Sequence, residues 1–400
     1  MKDVALTKKM AMNRFRPKKS SARNMPVCLG VVVGLTVLSA TAAQPILAIN
    51  EDNDHYFKLD ADRMNEQELV RYVDRIVGPG HVTDFVMCPC GQRTSYDSKV
   101  WEPIWAGLNE PNADGMTNDI WCVNAKRLFD QRIDPYAVWI RRCRERGGVR
   151  TWMSMRMNDV HFVSITNYFR NTTFQKTRRD LWRNPQAIPG KSAWEDMALN
   201  YAKQEVRDYS FALFRELVDR YDADGYELDW MRFTRHLTPG REREEAPILT
   251  DFMRRCRAYA NAVGVKRGHP ILLSVRVQSK LEDALGRGCD VVAWAAEHLV
   301  DWIIATNFYE MNDFDIDLAG WRRAIGKANP QVRILPGASD NLDLGPDNRP
   351  VPMTSGDFSC WAKRMYLRGA EGLYLFNVPY LPDDVTGFVY GGGLSRSHVK

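Results

Sequence analysis

The sequence predicts a (β/α)8 TIM barrel with long loops after its second and third strands. Three observations carry that expectation. Short β-branched runs alternate with amphipathic helical runs along the chain, the pattern of parallel strands joined by crossovers. Eight strands with seven helices between them can be read after residue 43. The 400 residues, 44% of them hydrophobic, suffice for one large core, since a barrel takes about 250 residues and tolerates insertions. The competing architecture is an open doubly wound sheet. It is disfavoured because no Gly-rich dinucleotide turn follows any strand.

In chain order the first strand is Ile46–Asn50, followed by a helix over Glu66–Val77. Val82–Met87 is the second strand, and a helix over Pro135–Arg146 leads to the third, Arg150–Met157. The helix Glu205–Arg220 ends just before Gly225–Asp229, the fourth strand, and Gly225 supplies backbone freedom where the chain turns inward. The helix Pro247–Val263 and the strand Ile271–Val277 come next, then Leu281–Glu297 as helix and Asp301–Thr306 as strand. Leu318–Lys327 and Val332–Leu335 form the seventh unit's helix and strand, and Phe358–Leu367 precedes the eighth strand, Gly372–Phe376. Segments 91–131 and 158–200 are too long for plain βα connections. Both follow strand C-terminal ends, the face on which barrel enzymes build their sites. Residues 44–400 therefore read as a single domain.

The net charge of +5 is misleading, because residues 1–43 hold eight Lys or Arg and one acid. Their removal leaves 47 basic against 49 acidic residues, a nearly neutral body without the basic stripe of a nucleic-acid binder. The basic start precedes an apolar run, Val27–Leu38, and a small-residue stretch ending at Ala43. That order reads as a secretory signal peptide over residues 1–43, with an uncleaved anchor as the alternative. The apolar run is short for a bilayer, which takes about 20 residues. Cleavage near Ala43 keeps the first strand whole, whereas cleavage after Ala48 removes most of it. The expectation is an exported protein, periplasmic or extracellular, without a stable membrane anchor. Seven cysteines remain after the signal, an odd number that leaves at least one free thiol. Cys90 and Cys122 bracket a long loop and are candidates for a disulfide. Cys143, Cys256, Cys289 and Cys360 read as small hydrophobes.

The fourth strand carries the chemistry. Glu227 and Asp229 lie two apart, so both point to one face of an otherwise apolar strand, costly in a core and useful in a site. Asp229 is the first candidate for a catalytic carboxylate, with pairing to Arg232 or Arg276 as its structural alternative. Glu227 lies one step deeper, where an internal ion pair competes with catalysis. Asp159, Glu310 and Asp340 compete as proton donor, and the aromatic setting of Glu310 favours a raised pKa. The same strand ends supply candidate substrate-binding groups: Arg93, Asn158, His161, Arg232, Arg276, Asn307 and Asn377. Trp101, Trp182 and Trp194 in the long loops, with Trp230 beside Asp229, offer aromatic faces for the C–H face of a sugar ring. Their alternative role is to pack the loops onto the barrel. Asp52, Asp54, Asp159 and His161 form the rival metal grouping, yet no His-x-His or His-Glu-x-x-His spacing occurs. The sequence also lacks a Gly-x-Ser-x-Gly elbow and a P-loop, so no cofactor is expected.

The run Glu205-Val206-Arg207 through Asp224-Gly225-Tyr226-Glu227-Leu228-Asp229 resembles the glycosyl-hydrolase-like family 10 proteins, exported bacterial barrels. Further matching pieces are Val100-Trp101-Glu102, residues 155–159, residues 290–301 and residues 372–377. The resemblance implies a (β/α)8 barrel that hydrolyses glycosidic bonds in a polysaccharide or cell-wall glycan. The strand-four pattern is also similar to that of the α-amylase clan, whose nucleophile falls on Asp229. This chain departs by having Glu227 where that clan has Arg, Ser339-Asp340 for its His-Asp, and Trp230 where many family-10-like proteins have a second Asp. The leading reading is thus an exported glycoside hydrolase working by carboxylate acid/base chemistry on a polysaccharide or oligosaccharide. Its alternatives are a catalytically inactive glycan-binding barrel and a metal-dependent deacetylase or amidase.

Overall fold

Eight parallel strands close on themselves, and their register follows from which residues alternate inward. In this computed structural model the described residues are 45–108, 119–165, 168–307, 312–344 and 349–399. The predicted signal peptide and Glu310 lie outside them. The strands are β1 (Ile46–Glu51), β2 (Asp84–Cys90), β3 (Arg150–Arg156), β4 (Gly225–Asp229), β5 (Leu272–Gln278), β6 (Trp302–Thr306) and β7 (Arg333–Ala338). A small antiparallel hairpin follows, β8 (Asn341–Leu344) and β9 (Pro350–Pro352), and β10 (Gly372–Phe376) returns to pair with both β7 and β1. The barrel order is β1-β2-β3-β4-β5-β6-β7-β10, so the (β/α)8 expectation holds.

The predicted helices are present with several differences, among them a short helix, Thr173–Thr177, in the second long loop. Leu281–Glu297 splits into Leu281–Gly286 and Val291–Ala296, because Gly288 takes φ 84° and Asp290 caps a new helix by accepting from Ala293 N–H. The first long loop contains an unexpected helix, Ile120–Asp130, capped by Asp119. A further short helix, Asp383–Phe388, follows β10. None of the described helices is long and apolar enough to cross a membrane. The Cys90–Cys122 pairing is corrected: both are buried free thiols, whose pKa burial pushes up to about 12. Cys360 is also corrected, since it is exposed rather than part of the core.

Two apolar layers result from the alternation. The lumen holds a small apolar cluster that includes Ile46, Val86, Trp152, Trp302, Ile304 and Leu335. Residues of opposite parity, such as Leu273, Val275 and Val277 on β5, pack outward against the helices in a much larger cluster. At about 1.5–3 kcal/mol per fully buried large apolar side chain, the outer layer supplies most of the stabilisation. The upper lumen is thereby free to carry polar groups.

Gly225 has a reason other than a turn. A Cβ there would lie 2.3 Å from Cε3 of Trp152, whose indole crosses the lumen beside β4 and meets Trp302 at a 4.4 Å centroid distance. Asp84 anchors that indole by accepting from Trp152 Nε1–H at 2.8 Å. Gly225→Ala is therefore expected to cost about 1–3 kcal/mol by overpacking. Denaturant unfolding should show that loss in the wild-type background and a smaller one in Trp152→Leu. An unchanged midpoint for Gly225→Ala would contradict the packing argument.

Candidate active site at the barrel mouth

Register places three charges side by side across β3, β4 and β5, because Arg156 pairs with Asp229 and Asp229 with Arg276. All three are buried. Arg276 grips Asp229 with two hydrogen bonds, Nε–H to Oδ1 at 3.0 Å and Nη2–H to Oδ2 at 2.7 Å. Two backbone groups beyond the strand, Met231 N–H and Arg232 N–H, also donate to Asp229 Oδ1. Asp229 is thus committed to Arg276, and only Oδ2 keeps spare acceptor capacity. Arg276 in turn lies 4.2 Å over the Phe376 ring at the end of β10.

One level lower, Glu227 stands between Ser154 and Ser274 in register. It accepts from Ser154 Oγ–H at 2.7 Å and from Tyr374 O–H at 2.9 Å, and among the described residues it has no ion pair at hydrogen-bond distance. Burial first, and then the neighbouring Asp229 charge, raise its pKa to about 7. With 1% exposure it lies beneath the mouth rather than in it.

On the β1–β3 side, Arg156 bonds Asp52 and also Asp159, the latter at 2.7 Å. Asp159 accepts from His161 Nδ1–H at 2.8 Å, and His161 Nε2 accepts from Arg232 Nη2–H at 3.0 Å. An arginine only donates, so this geometry fixes the Nδ1–H tautomer of a neutral ring. Burial pushes the His161 pKa down, in agreement. Burial works against ionised Asp159, but His161 and Arg156 hold its carboxyl well below the usual range. On the β7–β10 side, half-buried Asp340 accepts from Ser339 Oγ–H at 2.7 Å and is also bonded by Asn377. Burial raises its pKa. Asn307 accepts from Ser279 Oγ–H at 2.7 Å.

Several buried polar atoms at this face have no partner among the described residues. They include both amide atoms of Gln278, Thr306 Oγ1, Asn50 Oδ1 and Asn377 Oδ1. Gln278 and Thr306 are register partners at the upper ends of β5 and β6, and Asn50 is paired with Phe376. Buried polar groups are ordinarily hydrogen-bonded, so a row of orphans at a strand end points to a ligand that completes them. Three non-glycine residues on loops at this face, Phe162, Phe233 and Asn377, also adopt left-handed φ between 57° and 64°. Backbone strain of this kind gathers at functional sites.

The aromatic expectations need correction. Trp230 is fully buried behind the barrel against Tyr201, Phe252 and Trp294, because strand alternation turns position 230 away from the lumen. Trp101 is stacked on Tyr209 at 4.7 Å and donates its indole N–H to Tyr209 O. Trp182 is buried with Val160, Val163 and Met197, and donates to Gln175 O. Trp194 is half-buried and meets the edge of Phe233 at 5.2 Å. These rings hold loops in place. Asn158 does likewise: it donates to Leu199 O and Arg235 O and accepts from Leu199 N–H, so its amide is used up. Arg93 is buried and pairs with Glu102 at 3.1 Å. Sequence reasoning missed Thr306 and Phe376, although inward parity at strand ends was the available signal.

Among the described residues, Asp52, Asp54 and His55 form a cluster with metal-ligand spacing, their ligand atoms within 4.8 Å of one another. The protein's own cations already hold these acids, Lys58 on Asp54 at 2.6 Å and Arg156 on Asp52. Asp159 and His161, of the rival grouping, bond each other instead. A separate cleft of about 250 Å³ lies between Tyr96, Trp105, Phe129 and Asp134. Its Asp134 and Arg220 neutralise each other, so the reactive groups are at the mouth and not there.

No family model and no curated protein matches the chain. Solved structures do. The glycoside hydrolase domain of PgaB (BpsB) from Bordetella bronchiseptica superposes with a TM-score of 0.53 at 10% identity, covering 86% of this chain and 95% of that one. The α-L-fucosidase isoenzyme 2 from Paenibacillus thiaminolyticus gives 0.51 at 10% identity, over 88% of this chain. This chain spans about half (49%) of the fucosidase's length. At such identity the likeness is one of fold: this is a barrel of the kind found in glycoside hydrolases.

Glu227 offers a test of the lumen's electrostatics. Its folded pKa of about 7 exceeds the ordinary 4.5, so the stability it contributes is full below about 4.5 and is lost as pH rises through 7. The melting temperature of wild type is expected to fall between pH 5 and pH 8 more than that of Glu227→Gln. Equal slopes for the two proteins would show that Glu227 titrates normally.

Proposed function

We propose that the protein is an exported glycoside hydrolase that cleaves glycosidic bonds of a polysaccharide or cell-wall oligosaccharide at the C-terminal mouth of its barrel. The observation that carries this reading is the row of orphaned polar atoms at one strand-end face, on strands that also carry carboxyl groups in unlike settings. Asp229 is held by a guanidinium suited to an ionised carboxylate, whereas Asp340 is held where burial favours its proton. In this reading Asp340 protonates the glycosidic oxygen and the Asp229 carboxylate meets the developing oxocarbenium centre. Gln278, Thr306 and Asn50 supply hydrogen bonds to sugar hydroxyls. The resemblance to glycosyl-hydrolase-like family 10 proteins and the fold shared with glycoside hydrolases support this reading. The signal-like residues 1–43 support export.

One observation favours a second reading, a glycan-binding barrel without turnover: Asp229 is 2% exposed and spends most of its acceptors on the protein.

Turnover separates the two. The hydrolase reading predicts reducing-end release from a glycan panel and a loss of kcat of about 10²–10⁴-fold in both Asp229→Asn and Asp340→Asn, with binding retained. A donor must be protonated, so kcat/KM should fall as pH rises through the Asp340 pKa, and Asp340→Asn should lack that limb. Binding of a glycan without any release by wild type would establish the silent barrel.

A further inference from the structure

We infer that the Arg232 guanidinium forms a subsite for a carboxylate group of the saccharide, so that the preferred substrate is an acidic glycan. This rests on the proposed glycan reading and adds the substrate class. Every neighbouring cation at the mouth has its own acid: Arg276 has Asp229, Arg156 has Asp52 and Asp159, Lys58 has Asp54, and His55 has Glu51 at 3.0 Å. Arg232 is the exception among these. No carboxylate of the described residues pairs with it, and its hydrogen-bonded side-chain partner is the neutral ring of His161. Its Nε–H is buried without any acceptor.

The position of this cation is set by its neighbours. Its backbone N–H donates to Asp229 Oδ1 at 3.0 Å, which fixes the loop directly after β4. Its guanidinium carbon lies 5.7 Å from the centroid of Phe376, the same ring that Arg276 covers at 4.2 Å. Arg232 therefore lies on the loop that leaves β4, beside the Phe376 ring that also faces Arg276. Burial and the charges of Arg156 and Arg276 disfavour its protonated form, while Asp52 and Asp159 favour it from beyond hydrogen-bond distance. A neutral hydroxyl would satisfy an N–H here but leave the charge uncompensated. A planar carboxylate matches both the charge and the fork of donors. A uronic acid and a lactyl-ether sugar each present such a group.

The test compares glycans of equal length by titration calorimetry: an oligouronate, its carboxyl-reduced neutral form, and a muramic-acid-containing oligosaccharide. Wild type is expected to bind at least one of the two acidic probes about 10- to 100-fold more tightly than the neutral one, the range of a charge-assisted hydrogen bond. Which acid binds identifies the source of the carboxylate. Arg232→Gln should lose that preference, and Arg232→Lys should restore part of it. Equal binding of acidic and neutral glycans by wild type overturns the inference without touching the glycan reading, and needs no variant. A preference that survives in folded Arg232→Gln also overturns it. If none of the three probes nor any other glycan binds, both readings fall together.

Discussion

Arg276 and Asp229 face each other at one register level of β5 and β4, and the organisation of the upper barrel follows from that contact. Two charges removed from water are tolerated only when hydrogen-bonded and paired, and removing one partner of such a pair costs about 3–5 kcal/mol. The pair is therefore a fixed point to which the rest of the mouth must conform. It draws Met231 and Arg232 N–H inward, and so shapes the loop that leaves β4. It orients the Arg276 plane over Phe376. The Asp229 charge also helps keep the Glu227 proton in place below, against the opposing charge of Arg276.

The lumen is consequently divided by height. Its lower part is closed by indoles, with Trp152 lying against Trp302 and tied to Asp84. Its upper part holds arginines, acids and amides whose sequence positions are far apart but whose parity is common. The helices that surround the barrel supply the apolar burial, so the polar upper lumen costs the fold little of its main stabilisation. This separation lets a barrel carry a charged floor without losing its core.

The barrel itself was legible because buried parallel strands and amphipathic helices have distinct periods. β4 and β10 match their sequence-based bounds, and the helices Glu66–Val77 and Pro135–Arg146 do as well. Less legible were features decided by tertiary contact. The helix Ile120–Asp130 has no strand neighbour in sequence to announce it. Gly225 looked like a turn residue, but its small size answers to the Trp152 ring, about seventy residues earlier in the chain. Among site residues, Asp229, Arg276, Asp159 and His161 are brought together, because strand-end position and parity determine both proximity and direction. The tryptophans misled for a physical reason: an indole is large enough to bind sugar and equally suited to anchor a loop, and only burial distinguishes the two. Trp230 sits one residue past Asp229, and a one-residue step on a strand reverses the face.

The claim on which the account depends is that the unpartnered groups of Gln278, Thr306 and Asn50 mark a saccharide site above the Asp229–Arg276 pair. The most direct measurement is a crystal structure of the catalytically impaired Asp229→Asn protein with an oligosaccharide bound. The account predicts sugar hydroxyls within hydrogen-bond distance of Gln278 and Thr306, and a glycosidic oxygen in reach of Asp340. A saccharide seated elsewhere on the barrel, with the mouth filled by water alone, would contradict it.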